Sequence, residues 1–88
     1  MKIKYSIEPQ DPVMNESDFL KELLYWAKEE NHEMEVVRAG KMPIVNIEGK
    51  KYLCKLEPPK RVLLGVLNTS SAYMSFGFKY IYLYEMED

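Results

Sequence analysis

Met74-Ser75-Phe76-Gly77-Phe78-Lys79-Tyr80-Ile81-Tyr82-Leu83-Tyr84-Glu85-Met86 places a large side chain at every second position, and the five between the two methionines are all aromatic. Side chains alternate across an extended strand, so Phe76, Phe78, Tyr80, Tyr82 and Tyr84 share one face if this segment is a strand. Such a ladder is either the wall of a core or an aromatic platform for a partner. Set against an apolar helix stripe it is core, the commoner fate of such a face. The three successive tyrosine hydroxyls need partners or water, so the distal half of the ladder is expected to reach the rim. The opposite side, Ser75, Gly77, Lys79, Ile81 and Leu83, is less apolar and is expected to face solvent, with Gly77 leaving it flat.

Moving back along the chain, residues 68–72 read as a turn and 62–67 as a further apolar strand interrupted by Gly65. Glu57-Pro58-Pro59-Lys60-Arg61 is a stiff polar connection. Residues 42–47 and 51–56 are strand-like and are separated by Glu48-Gly49, the signature of a tight β-hairpin. A two-residue turn would set Val45 against Tyr52 and Ile44 against Leu53. Pro43 at the start of its strand removes only one donor. Met34, Val36 and Val37 predict another strand, closed by Ala39-Gly40.

The helix is predicted over residues 16–30. Asn15 is a good N-cap, Glu16 and Asp18 put negative charge in the first turn, and Met14 is placed to staple against Phe19. Phe19, Leu20, Leu23, Leu24, Trp26 and Ala27 fall on one stripe at helical spacing, which must be buried against a sheet. Tyr25 points elsewhere, and the apolar period is lost near Asn31 and His32. Before the helix, Ile3, Tyr5 and Ile7 alternate with Lys2, Lys4, Ser6 and Glu8 in the pattern of a half-buried strand ended by Pro9.

These elements predict an α+β fold: one mostly antiparallel sheet of five or six strands with one amphipathic helix on one face, in the order β-α-β-β-β-β-β. No repeat or linker divides the chain, so residues 1–88 are expected to form a single domain. A sheet of this size exceeds what one helix of about fifteen residues can cover, and the surplus apolar surface points to a partner or a self-pairing face.

Composition narrows the function. Eighty-eight residues hold one modest core, stabilised by roughly 5 kcal/mol, and leave little room for a deep enclosed active site. The opening alternates polar and apolar residues rather than forming a signal peptide, and no apolar run is long enough to span a membrane, so a cytoplasmic protein is expected. Cys54 is the single cysteine and reads as a small buried residue. His32 lies among Glu29, Glu30, Glu33 and Glu35, but a helix end running into a strand gives no compact metal geometry, so it reads as a solvated acidic terminus. One His, one Cys and the serines at 70 and 71 form no recognisable catalytic set, and neither an enzyme nor a cofactor is expected.

The net charge of −2 conceals a polar distribution. Residues 1–37 hold four lysines against nine acids, whereas residues 38–61 hold seven basic residues, including Lys50, Lys51, Lys55, Lys60 and Arg61, against Glu48 and Glu57. This basic island is either a solvated hairpin surface, an attractor of anions, or one half of an attraction between the acidic and basic parts, within one fold or between copies. The expected function is that of a small binding or regulatory, inhibitor-like protein acting through its sheet. Phe78, Tyr80, Tyr82 and Tyr84 would supply contact area and Lys50, Lys51, Lys55, Lys60 and Arg61 charge, toward a protein partner or a second copy. The alternative is a nucleotide-like anion or single-stranded nucleic acid, its bases stacked on the aromatics and its phosphates on the basic hairpin.

Overall fold

The computed structural model describes residues 2–58 and 79–87. Among them the chain forms β1 (Lys2–Ile7), α1 (Glu16–Glu29), β2 (Met34–Arg38), β3 (Ile44–Ile47), β4 (Lys50–Glu57) and β5 (Tyr80–Glu85). The strands make one sheet in the order β1-β5-β4-β3-β2, with every neighbouring pair antiparallel. Over the described residues the fold is α+β, with one antiparallel sheet and one helix in the order β-α-β-β-β-β. The further strand expected at 62–67, the turn at 68–72 and the first half of the aromatic ladder lie outside the described residues.

Local chemistry explains the ends of α1. Asn15 has extended backbone and its Oδ1 accepts the Asp18 N–H at 2.8 Å, while Asp18 Oδ2 accepts the Met14 N–H at 3.0 Å. Two N–H groups at the start of the helix are thereby satisfied. Met14 is exposed rather than stapled, and Val13 packs against the core instead. At the other end Asn31 adopts φ 59°, its N–H bonds Lys28 O at 3.2 Å, and His32 N–H bonds Ala27 O at 2.8 Å. This is a Schellman closure with asparagine in the left-handed position. It folds His32 back beside Trp26, with ring centroids 5.0 Å apart.

The hairpin has the expected register, Val45 against Tyr52 and Ile44 against Leu53. Glu48 and Gly49 both take positive φ, 51° and 86°, and the Gly49 N–H is held by Asn46 Oδ1 at 3.0 Å. Two left-handed residues match the turn to the twist of the flanking strands, and glycine adopts that conformation at little cost.

Which sheet face meets the helix is the main departure from the sequence reading. Ile81 and Leu83 are fully buried with Phe19, Leu23, Val45, Ile47, Tyr52 and Cys54, so α1 covers the aliphatic side of β5. The ladder of Tyr80, Tyr82 and Tyr84 lies on the other side. The expectation that Ile81 and Leu83 face solvent is therefore corrected. The physical reason lies in the side chains: Ile81 and Leu83 carry no polar atom and suit the dry layer beneath α1, whereas a tyrosine hydroxyl sits better on the side where it finds a polar partner.

Two bulges complete the arrangement. In β1 the register slips between Ile3 and Tyr5, so Ile3 opposes Tyr84 whereas Tyr5 opposes Leu83. Ile3 therefore leaves the face of Tyr5 and Ile7 and is exposed. In β2 the slip falls between Val36 and Arg38. Leu24 also departs from the expected buried stripe and is exposed on one flank of α1.

Candidate functional site

The tyrosine face of the sheet is built by β4 and β5. Cross-strand register sets Leu53 against Tyr84, Lys55 against Tyr82 and Glu57 against Tyr80. The Tyr80 and Tyr82 rings stack with centroids 6.3 Å apart at 23°. Lys55 holds its ammonium 5.0 Å from the centroid of the Tyr84 ring, within cation–π range. The Tyr84 hydroxyl donates to Glu57 Oε1 at 2.6 Å, the length of a charge-assisted bond. Glu57 stands in the row of Tyr80, two rows from Tyr84, so the Tyr84 ring lies along the sheet rather than standing away from it.

Burial divides the ladder. Tyr82 is 5 % exposed and anchors the group, while Tyr80, Tyr84, Lys55 and Glu57 are half-buried. Lys51 opposes Asn46 on the same face and is exposed. This face thus carries the half-buried Tyr80 and Tyr84 rings, the Lys55 and Lys51 ammonium groups and the Glu57 carboxylate, with Tyr84 fixed by its contacts. Such a set can bind by stacking, cation–π contact and hydrogen bonding.

The basic hairpin does not act as one patch. Lys50 lies on the helix side of the sheet, where its Nζ pairs with Glu85 Oε2 at 3.1 Å. That hydrogen bond and the accompanying charge attraction hold Lys50 above the ordinary lysine range and Glu85 below the ordinary carboxylate range. Lys51 and Lys55 are the basic residues that the fold brings to the tyrosines. Phe78, Lys60 and Arg61 lie outside the described residues. Glu57, Leu53 and Ile44 also share this face, beyond the residues expected from sequence; the hairpin register places Ile44 and Leu53 in one row with each other.

The remaining reactive groups are packed into the structure. Burial pushes the Cys54 thiol up to about 12, which keeps it protonated and unreactive at neutral pH. His32 is largely covered by Trp26 and Tyr5, and its Nδ1 is 3.3 Å from Glu48 Oε2 rather than among its acidic neighbours in sequence. The buried Glu22 carboxylate accepts the Gln10 N–H at 2.9 Å and the Asp11 N–H at 3.4 Å, tying the loop before α1 to the helix. Burial raises the Tyr52 phenol, with Tyr5 nearby adding to the shift. Among the described residues no group of three or more His, Cys, Asp or Glu is placed to hold a metal ion, and no helix is long and apolar enough to cross a membrane. An open cleft of about 430 Å³ beside the start of α1 is walled by Val13, Phe19 and Leu56, with Lys41 and Glu16 also lining it.

No protein-family model matches this chain, and neither a curated protein nor a solved structure matches it.

Proposed function

We propose that this chain is a small non-catalytic binding protein of regulatory, inhibitor-like character, which docks a protein partner on the tyrosine face of its sheet. The observation that carries the reading is the assembly of Tyr80, Tyr84 and Lys55 on the side turned away from α1, with Tyr84 held by Lys55 and Glu57. Rings fixed before binding lose little conformational freedom when a partner arrives, and tyrosine contributes large contact area with a polar tip. Lys51 and Lys55 favour a partner with acidic groups opposite them. Tyr82 is the foundation of the surface and Tyr80, Tyr84, Lys51 and Lys55 its contacts.

The test is photo-crosslinking from an amino acid placed at Lys51, in cells producing the full chain. The expected result is one dominant adduct that is lost in Lys55→Glu and Tyr80→Ala proteins retaining wild-type circular dichroism. Capture indifferent to both substitutions would remove the basis of the reading. The nucleotide alternative is supported by the Lys55 ammonium beside an aromatic ring and opposed by the Glu57 carboxylate and by the placement of Lys50 on the other face. Thermal shift with a nucleotide panel decides it. Ligand at 100 times its dissociation constant stabilises by about 2.7 kcal/mol, and we expect no such shift.

A further inference from the structure

We propose that two copies of this chain associate edge to edge through β2, antiparallel about a twofold axis between Val36 and Val37, so that their sheets become continuous. This uses the β2 edge of the sheet, separated by β3 from the tyrosine-bearing strands β4 and β5, and stands independently of the function proposed above.

Among the described residues β2 is an end strand, with β3 on one side and no strand on the other. Such an edge presents unpaired backbone donors and acceptors, a template for strand addition. Glu35, Val36, Val37 and Arg38 are all exposed. The edge is also apolar at its middle. Four of the seven large apolar side chains exposed among the described residues, Leu24, Val36, Val37 and Met42, belong to this end of the molecule, each between 37 % and 52 % exposed. Leu24 is included because Glu22, Tyr25 and Trp26 share a cleft with Ser6 and Ile7 of β1, which leaves the opposite flank of α1 on the β2 side.

Charge selects the occupant. The segment runs from Glu33 and Glu35 at its start to Arg38 and Lys41 at its end, so an antiparallel copy brings acidic residues opposite basic ones, and a parallel copy would not. The bulge makes this pairing stereochemically consistent. Glu35 and Arg38 are three residues apart and would occupy opposite faces of a regular strand. Here Glu35 opposes Asn46 and Arg38 opposes Ile44, two residues apart on β3, so both lie on one face. A twofold between Val36 and Val37 then sets Glu35 against the partner's Arg38 twice, on the same side of the joined sheet. Among the described residues neither Glu35 nor Arg38 forms an ion pair within its own chain.

A five-residue strand is a small interface, and the dissociation constant is expected on the order of 100 μM at low salt. The test is sedimentation equilibrium of the full chain up to about 1 mM, comparing wild type with Glu35→Arg, Arg38→Glu and the double exchange. Each single reversal places like charges opposite one another twice and should weaken the dimer roughly tenfold. The double exchange should restore it to within about threefold, and Lys55→Glu should leave it unchanged. A wild-type protein monomeric throughout, a dimer indifferent to either single reversal, a double exchange that fails to restore it while folded, or loss of the dimer in Lys55→Glu would overturn the proposal.

Discussion

Position, more than chemical type, decides what a residue does in this chain. Cys54 and Lys55 are neighbours in β4, yet one is sealed beneath α1 and the other holds its charge over Tyr84. Because burial raises the Cys54 thiol to about 12, a disulfide-exchange reagent at pH 8 should modify native protein only at the rate of global opening and react at once in denaturant. Labelling of native protein at the rate of a free thiol would refute that. The Lys50–Glu85 pair bounds a pH window. Glu85 has a lowered folded pKa, so its contribution is fully present above the unfolded value of about 4.3 and is lost as pH falls through the folded value. Lys50 has a raised folded pKa, so its contribution is present below about 10.4 and is lost as pH rises through the folded value. The stability difference between wild type and Glu85→Gln, measured by urea denaturation, should therefore be flat near neutrality and shrink below pH 4. Both side chains are solvent-accessible, so the difference itself will be small.

Elements were legible wherever a local rule had a single outcome. Asn15 before an acidic first turn marked the start of α1, and Glu48-Gly49 set the hairpin register to the residue. Asn15→Ala should destabilise by about 1 kcal/mol. Gly49→Ala should cost a similar amount from backbone strain alone, because a Cβ there would meet nothing within 4 Å. Denaturation midpoints of both variants check these values. The facing of β5 was not legible, since Tyr80, Tyr82 and Tyr84 alternate with Ile81 and Leu83 and both series are apolar enough to be buried. Alternation reports which residues share a face and is silent on which face meets the helix. The signal that could have decided it is the hydroxyl: purely aliphatic side chains suit the dry layer, and tyrosines suit the side where Glu57 and Lys55 can meet them. Bulges were hidden for a different reason. The slips at Ile3/Tyr5 and Val36/Arg38 depend on partner strands far along the chain, and no local pattern in Lys2–Ile7 or Met34–Arg38 encodes them.

At the scale of the whole molecule, the sheet is closed by its most distant pieces, since β5 lies between β1 and β4. A chain ending before Tyr80 loses a strand paired on both sides and two fully buried core residues, Ile81 and Leu83. Such a truncation should show no cooperative urea transition, and a sigmoidal transition in it would contradict the topology. The site drew less from sequence than the fold did. Tyr80, Tyr82, Tyr84 and Lys55 were expected to act together and do share a face, whereas Lys50 and Lys51 are adjacent in sequence and the pleat of β4 sends them to opposite sides. One strand thus has two faces, with Ile81 and Leu83 in the core beneath α1 and Tyr80 and Tyr84 half-buried on the other side, where we propose that a partner docks. The most direct test pairs Leu83→Ala with Tyr80→Ala, reading urea stability and crosslinked capture on the same preparations. Leu83→Ala should cost 2–5 kcal/mol, on the order expected of a buried leucine, while Tyr80→Ala, half-buried and stacked on Tyr82, should cost less, about 1–2 kcal/mol, and abolish capture. A Tyr80→Ala protein as destabilised as Leu83→Ala, or one that still captures its partner, would contradict this division.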